Sequence, residues 1–345
     1  MKWWSIVFLF VVFISCNNQP QASSNEYQAE LGKYLFYENK LSVNNTKSCA
    51  SCHSPQFAFT DGYRKSITSL GENVLHNAPT LVNVQQYKFY DWANSNSTTL
   101  SKQIKRPLYG EHPLELGLNL NYPQFKSFLE KDTKYKHLFK QAFPNDTALF
   151  TLTQIETSIV AFVKTINSYN TPFDKHTMSE SAKKGFELFS SNKLKCASCH
   201  APPHFTLAAS STNIDSVYTN IGLYNVENKN IYPSVDAGLF AITQKKEDDG
   251  KFKIPTLRNV MLTHPYMHDG SIANIDEVID MYTRGGRNVN YGDYKGDGKL
   301  NANKSHLITG FSLTQEERRN LIDFFHALTD TSVLFDPKFS NPITF

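Results

Sequence analysis

The chain of 345 residues is too long for one ordinary hydrophobic core and points to about two domains. With 40% hydrophobic and 19% charged residues it is globular in composition, and a net charge of +3 from 35 basic and 32 acidic residues excludes a dedicated nucleic-acid binder. The only long apolar run lies at the N-terminus, which excludes a polytopic membrane protein.

Residues 1–15 read as a secretory leader: Lys2, an apolar stretch from Trp3 to Ile14 too short to span a bilayer comfortably, then small Ser15. Cys16 directly behind it resembles the acylated cysteine of a bacterial lipobox; the other reading is a plain signal peptide with an incidental cysteine. Residues 16–30 follow as a polar tether, unpatterned from Asn17 to Asn25. The expected location is the periplasm, lipid-anchored to the membrane, with Asn17 leaning toward the outer one.

The pattern Gly-x-x-Leu-Phe-x-x-Asn-Lys-Leu occurs at 32–41 and again at 185–194, and each copy runs into Cys-Ala-Ser-Cys-His, at Cys49–His53 and Cys196–His200. Such a repeat points to duplication of a small helical unit. A helix is expected around Thr153–Thr165 with Ile155, Ile159, Phe162 and Val163 inward, and Pro172 breaks the chain in a connector near 167–175. The Asp293–Gly298 loop looks calcium-like but lacks further ligands, and reads as a solvated turn. Thr314 and Glu317 form a capping box for a last helix with Leu321, Ile322, Phe324, Phe325 and Leu328 inward. Alternating strand patterns are scarce. The expected fold class is mainly α, with two cytochrome c-like haem domains related by duplication, residues 31–168 and 174–345.

Cys-x-x-Cys-His is the attachment motif of c-type haem. On a helical turn, positions i, i+3 and i+4 share a face. Cys49 and Cys52, or Cys196 and Cys199, can then form thioethers to one porphyrin while His53 or His200 reaches the iron. A four-cysteine zinc site does not require a histidine after each second cysteine, and a redox Cys-x-x-Cys pair would not recur with identical filler. Two covalently bound haem c groups are expected, with no free thiol left in the mature chain.

Further segments carry a resemblance: FAFTDG (57–62), NAPTLVN (77–83), TLSKQ (99–103), HPLELG (112–117), LFSSNKLKCASCH (188–200), IPTLRNVMLTHPYMHDGS (254–271) and VIDMYTRGG (278–286). Together they are similar to the bacterial di-haem cytochrome c peroxidases and their MauG-like relatives, from about Leu31 to Thr329. The resemblance implies a peroxide-binding haem on His53, Glu115 as the acid–base group that moves a proton between the peroxide oxygens, and Gln103 and Pro107 in the distal pocket. It implies a six-coordinate second haem on His200, with Tyr282 of the Tyr-x-x-Gly-Gly motif as the distal ligand of the MauG-like branch. Met281 would return the site to the peroxidase pattern; on a helix the two side chains point about 100° apart. Trp92, the only tryptophan beyond the leader, is implied as the relay between haems. An inter-haem Ca2+ would be held by the Asn83 side chain and the carbonyls of Thr263 and Pro265. His76 is either a removable ligand of the first iron or a loop histidine in solvent, and His268 is assigned to the second haem's pocket.

The wording Tyr90-Asp91-Trp92-Ala93-Asn94, followed by PLYGEHPLELG (107–117), is similar to the MbnH subgroup, whose members oxidise a tryptophan of the partner protein MbnP to kynurenine. The expected function is a di-haem oxidoreductase that uses hydrogen peroxide to form high-valent haem and oxidise a partner protein. The alternatives are a conventional peroxidase drawing electrons from a small cytochrome c, and a non-enzymatic di-haem electron-transfer lipoprotein.

Overall fold

Ser23 accepts a hydrogen bond from the Glu26 amide while the Glu26 carboxylate takes the Ser23 N–H, and this capping box starts α1 (Ser24–Tyr37). The body therefore begins inside the stretch expected to be tether. The computed structural model describes Met1 and residues 23–343, so the expected leader and Cys16 lie outside the described residues. No helix among the described residues is long and apolar enough to cross a membrane.

The helices continue as α2 (Leu100–Gln103), α3 (Lys105–Tyr109), α4 (Leu118–Lys131), α5 (Thr133–Ala142), α6 (Leu152–Val163), α7 (Glu180–Ser190), α8 (Ile214–Val217), α9 (Phe240–Thr243), α10 (Ile275–Arg284), α11 (Gln315–Ala327) and α12 (Ser332–Phe335). Among the described residues, strands are confined to two short antiparallel pairs. β1 (Tyr218–Thr219) runs against β2 (Phe252–Lys253), and β3 (Asn288–Val289) against β4 (Gly296–Asp297). The fold is mainly helical, as expected. The helix expected around 153–165 is α6, which the structure shows capped by Thr151 with Gln154, and the expected Thr314–Glu317 capping box starts α11.

One helix crossing recurs in both halves. Leu31, Leu35 and Phe36 of α1 meet Ile155, Ile159 and Phe162 of α6, whereas Phe189 of α7 meets Leu321, Phe324 and Phe325 of α11. The glycine of each repeat sits at the crossing. A Cβ on Gly32 would stand 1.8 Å from the Ser158 carbonyl oxygen, and one on Gly185 would stand 1.9 Å from that of Asn320. Any side chain there would hold the backbones apart.

A second repeat emerges from the coordinates: Pro-Thr-Leu-x-Asn-Val at 79–84 and at 255–260. Thr80 Oγ1 donates to the Ala58 carbonyl (2.6 Å), and Thr256 Oγ1 donates to the His204 carbonyl (2.7 Å). Asn83 and Asn259 both adopt left-handed backbone, with φ of 59° and 58°. Each segment thus clamps the loop that follows a Cys-x-x-Cys-His motif.

The halves are not joined by a loose linker. Ser168 and Thr171 are fully buried in the connector, and Arg258 grips Asp174 through two hydrogen bonds of 2.9 and 2.7 Å. The C-terminal segment also crosses back. Phe339 packs edge-on against Phe59 at 5.3 Å, in the core of the first half, and Lys33 Nζ donates to the Pro337 carbonyl (3.0 Å). A boundary that assigns everything after residue 174 to the second domain therefore cuts through one packed core. The 293–298 loop differs from expectation as well. It contains β4, and Asp297 forms a two-pronged ion pair with Arg284 (2.6 and 2.5 Å) that pins the end of α10.

Candidate haem sites and the seam between them

Each Cys-x-x-Cys-His motif folds as a tight helical turn. The His53 amide donates to the Cys49 carbonyl (3.0 Å) and the His200 amide to that of Cys196 (2.9 Å), which brings i and i+4 onto one face. The next loop then aims the imidazole. His53 Nδ1 lies 3.0 Å from the Phe59 carbonyl, and His200 Nδ1 lies 3.2 Å from that of Phe205 and 3.1 Å from that of Pro255. A carbonyl can only accept, so Nδ1 carries the proton and Nε2 keeps its lone pair. Phe59 and Phe205 both have left-handed backbone (φ 63° and 52°), the turn that points their carbonyls at the ring. Burial lowers the pKa of both imidazoles, to about 4 for His200, so each is a neutral donor at physiological pH.

Between the motifs lies a continuous space of about 2760 Å³, including its openings to solvent, walled by both histidines and all four cysteines. The thiols are unpaired. Burial pushes Cys49 and Cys196 up to about 12 and Cys52 up to about 11, the reverse of the depressed thiol that a redox Cys-x-x-Cys needs. No group of three or more His, Cys, Asp or Glu side chains able to hold a metal occurs among the described residues, which argues against zinc. Paired inert thiols beside a preoriented imidazole, facing a large apolar-walled space, fit a covalent porphyrin in each half.

Glu115, Gln103, Pro107, Trp92, His76 and Tyr282 all line this space. Burial raises the Glu115 carboxyl above the usual carboxylate range, reinforced by Asp91 and opposed by Arg106, which is itself paired with Asp91 at 2.6 Å. Ser69 fixes the Glu115 backbone by donating twice to its carbonyl, at 3.0 Å from the amide and 2.6 Å from the hydroxyl. Gln103, ending α2, accepts from Ser97 Oγ through its Oε1 (2.6 Å). On α10, Tyr282 faces the space, and its hydroxyl pKa is raised by burial and by the nearby Cys199 and Cys196. Met281 does not line the space and lies in the buried cluster of Trp92, Leu223 and Tyr224, against which Tyr282 also packs.

Trp92 is buried on the seam and donates from Nε1 to the Asn77 carbonyl (2.9 Å). Over its ring lies the ammonium of Lys253, at 5.2 Å, and the same group lies 5.4 Å from the ring of Tyr87. His76 is buried rather than in solvent. Its Nε2 meets Asp236 Oδ1 at 3.0 Å, and the other oxygen of Asp236 lies 3.4 Å from His268 Nε2. His268 stacks on Phe252, so this trio ties the first half to the second. Nothing local in the sequence marks Asp236 or Lys253, because their partners lie far along the chain.

The expected calcium set is not brought together. Both amide atoms of Asn83 are spent on Ser168, donating to its carbonyl (3.0 Å) and accepting from its amide (2.9 Å), and Asn83 does not face the space lined by Thr263 and Pro265. The asparagine on that wall is Asn77. Its Nδ2 donates to the Tyr63 carbonyl (2.9 Å), and its Oδ1 accepts no hydrogen bond among the described residues.

The chain is similar in sequence and fold to known proteins. The sequence profile of the di-haem cytochrome c peroxidase family matches residues 26–182. Methylamine utilization protein MauG of Methylophilus methylotrophus is 30% identical over 310 residues, covering 87% of this chain and 82% of its own. Cytochrome-c peroxidase IdrP1 of Denitromonas iodatirespirans is 30% identical, covering 92% and 87%. The crystal structure of a MauG-like protein associated with microbial copper homeostasis superposes with a TM-score of 0.88 at 37% identity, covering 92% of this chain and 93% of that one. This chain belongs to the di-haem cytochrome c peroxidase and MauG family of oxidoreductases.

Proposed function

We propose that the protein is a periplasmic, Cys16-anchored enzyme of the MauG type, which uses hydrogen peroxide to oxidise a side chain of a partner protein. The observation that carries this reading is the phase of α10, with Tyr282 on the wall beside Cys196 and Cys199 and Met281 turned into the core. An oxygen ligand stabilises oxidised iron, whereas methionine favours the reduced state of an electron acceptor.

When bound, the two haems supply redox-active iron that can react with peroxide and exchange electrons. Cys49 and Cys52, and Cys196 and Cys199, provide the thioether sulfurs, with His53 and His200 offering Nε2 to the iron. Glu115, its carboxyl raised by burial, takes a proton from one peroxide oxygen and returns it to the other. Gln103, held by Ser97, presents its amide to the same pocket. Trp92 sits between the halves as the oxidisable ring, steadied by its hydrogen bond to Asn77. For a structural calcium ion, Asn77 has the free carboxamide oxygen on the wall shared with Thr263 and Pro265.

The likeness at 37% identity to a copper-homeostasis protein of MauG type supports a partner of the MbnP kind, with a tryptophan as the oxidised residue. The relative called a cytochrome-c peroxidase favours a second reading, in which a small cytochrome c supplies the electrons. Adding peroxide to the fully oxidised protein separates them. The first reading expects an optical change that persists without reductant, decays faster with the partner, and is absent from Tyr282→Phe but present in Met281→Leu. Steady turnover with reduced cytochrome c, together with a Tyr282→Phe variant that behaves like wild type, would establish the second.

A further inference from the structure

Three tyrosines lead from the cavity wall toward solvent, and none is used by the chemistry described so far. Tyr232 lines the cavity wall and is 3% exposed. Its ring centroid lies 5.7 Å from that of buried Tyr224, which in turn lies 5.5 Å from that of half-buried Tyr294. Three residues away, Tyr291 is 86% exposed. Both ring separations fall within aromatic contact distance.

The middle ring has a partner that packing alone does not require. Tyr224 donates its hydroxyl to Asp269 Oδ2 at 2.7 Å, both residues being buried. Burial works against the charged form of Asp269. Nearby His268 and the hydrogen bonds from Tyr224 and Ser271 outweigh it and hold the carboxyl below the usual range. Burial meanwhile pushes the Tyr224 phenol up to about 12, so at rest the proton stays on the tyrosine. A phenol that loses an electron becomes a strong acid. A carboxylate within hydrogen-bond reach can then take the proton without any rearrangement.

Resting on the peroxide reading above, we propose that Tyr224 and Asp269 form a proton-coupled redox site that carries oxidising equivalents from the cavity to the surface at Tyr294. One electron leaves Tyr224 through Tyr232 toward the oxidised cofactor, and the phenolic proton crosses to Asp269 Oδ2. An electron from the oxidisable side chain of the partner protein, docked at Tyr294, then passes through that ring and restores Tyr224, which recovers its proton from Asp269. Two such passages deliver the two electrons that reduction of one hydrogen peroxide to two waters consumes, the two protons of that reduction coming from solvent.

The test uses the holoprotein treated with stoichiometric hydrogen peroxide in the absence of partner, freeze-quenched for electron paramagnetic resonance, with a nitroso spin trap located by peptide mass spectrometry. Wild type should give a tyrosyl radical and a trap adduct at Tyr294 or Tyr291. Tyr224→Phe, which keeps the ring and its packing, should lose the adduct, and Asp269→Asn should slow radical formation by roughly tenfold or more and abolish its solvent isotope effect. An unchanged radical and adduct in Tyr224→Phe would overturn the proposal while the functional reading stands, as would a wild type that responds optically but shows no organic radical. A wild type whose absorption ignores peroxide would overturn both.

Discussion

Lys253 reaches the cavity wall from β2, 3% exposed, with no carboxylate at ion-pair distance among the described residues. Burial lowers its pKa from 10.5 to about 8, opposed by Asp91, which is itself paired with Arg106. The shift corresponds to about 3 kcal/mol, against which contact with two aromatic faces returns roughly 1–2. The unfolded chain holds this proton up to pH 10.5 and the folded chain only to about 8. The penalty is therefore complete below pH 8, and stability from this group rises with pH between 8 and 10.5. Lys253→Met should raise the holoprotein's unfolding free energy at pH 7 by about 1–3 kcal/mol, and the advantage should shrink toward pH 10 in denaturant titrations. Glu115 shows the opposite sign of burial, a carboxyl pushed up rather than an ammonium pushed down. Glu115→Gln keeps the shape and removes the shuttled proton, so stopped-flow reaction with peroxide should slow by about 10²–10⁴-fold while the resting spectrum is retained.

At the scale of elements, the two crossings α1/α6 and α7/α11 set where each Cys-x-x-Cys-His turn can sit, since each follows directly from the first helix of its pair. Gly32→Ala and Gly185→Ala would place a methyl carbon against a backbone oxygen rather than against a side chain that could rotate away. Each should cost about 3 kcal/mol or more, read as a fall in melting temperature of the holoprotein, with loss of haem incorporation where the crossing fails. Helix α6 was legible from its apolar period alone, and α11 because cap and apolar period coincide at Thr314–Glu317; the Thr151–Gln154 capping box of α6 is added by the structure. The capping box at Ser23–Glu26 is masked in the sequence, because α1 opens polar and continues the composition of the leader's tail. Both Pro-Thr-Leu-x-Asn-Val segments were visible as separate strings, but their equivalence depends on the carbonyls that Thr80 and Thr256 grip. The Asp293–Gly298 loop misled for a related reason. Asp297 looks like a solvated acid until Arg284, thirteen residues back, is folded against it.

Across the whole molecule, the relation between the halves rests on Ser168. Asn83 from the first half takes its amide and its carbonyl, Asn259 from the second donates to its hydroxyl oxygen (3.0 Å), and that hydroxyl donates to Asp330 (3.0 Å). No sequence pattern announces a buried serine as a hub, because its value lies in three segments 85 to 162 residues away. With the Phe339 segment packed into the first core and Asp236 held by His76, the halves should unfold as one unit. Asn83→Ala and Asn259→Ala should each cost about 1–3 kcal/mol by leaving a buried polar group of Ser168 or Asp330 unpaired. If the connector is a single joint, the first substitution already frees Ser168 and the second removes less. The double variant should then fall short of additivity by about 0.5–3 kcal/mol in denaturant titrations followed by haem absorption. Additive losses with two resolved transitions would instead mean that each half folds on its own, and that the distance across Trp92 is set by the haem pockets rather than by this joint.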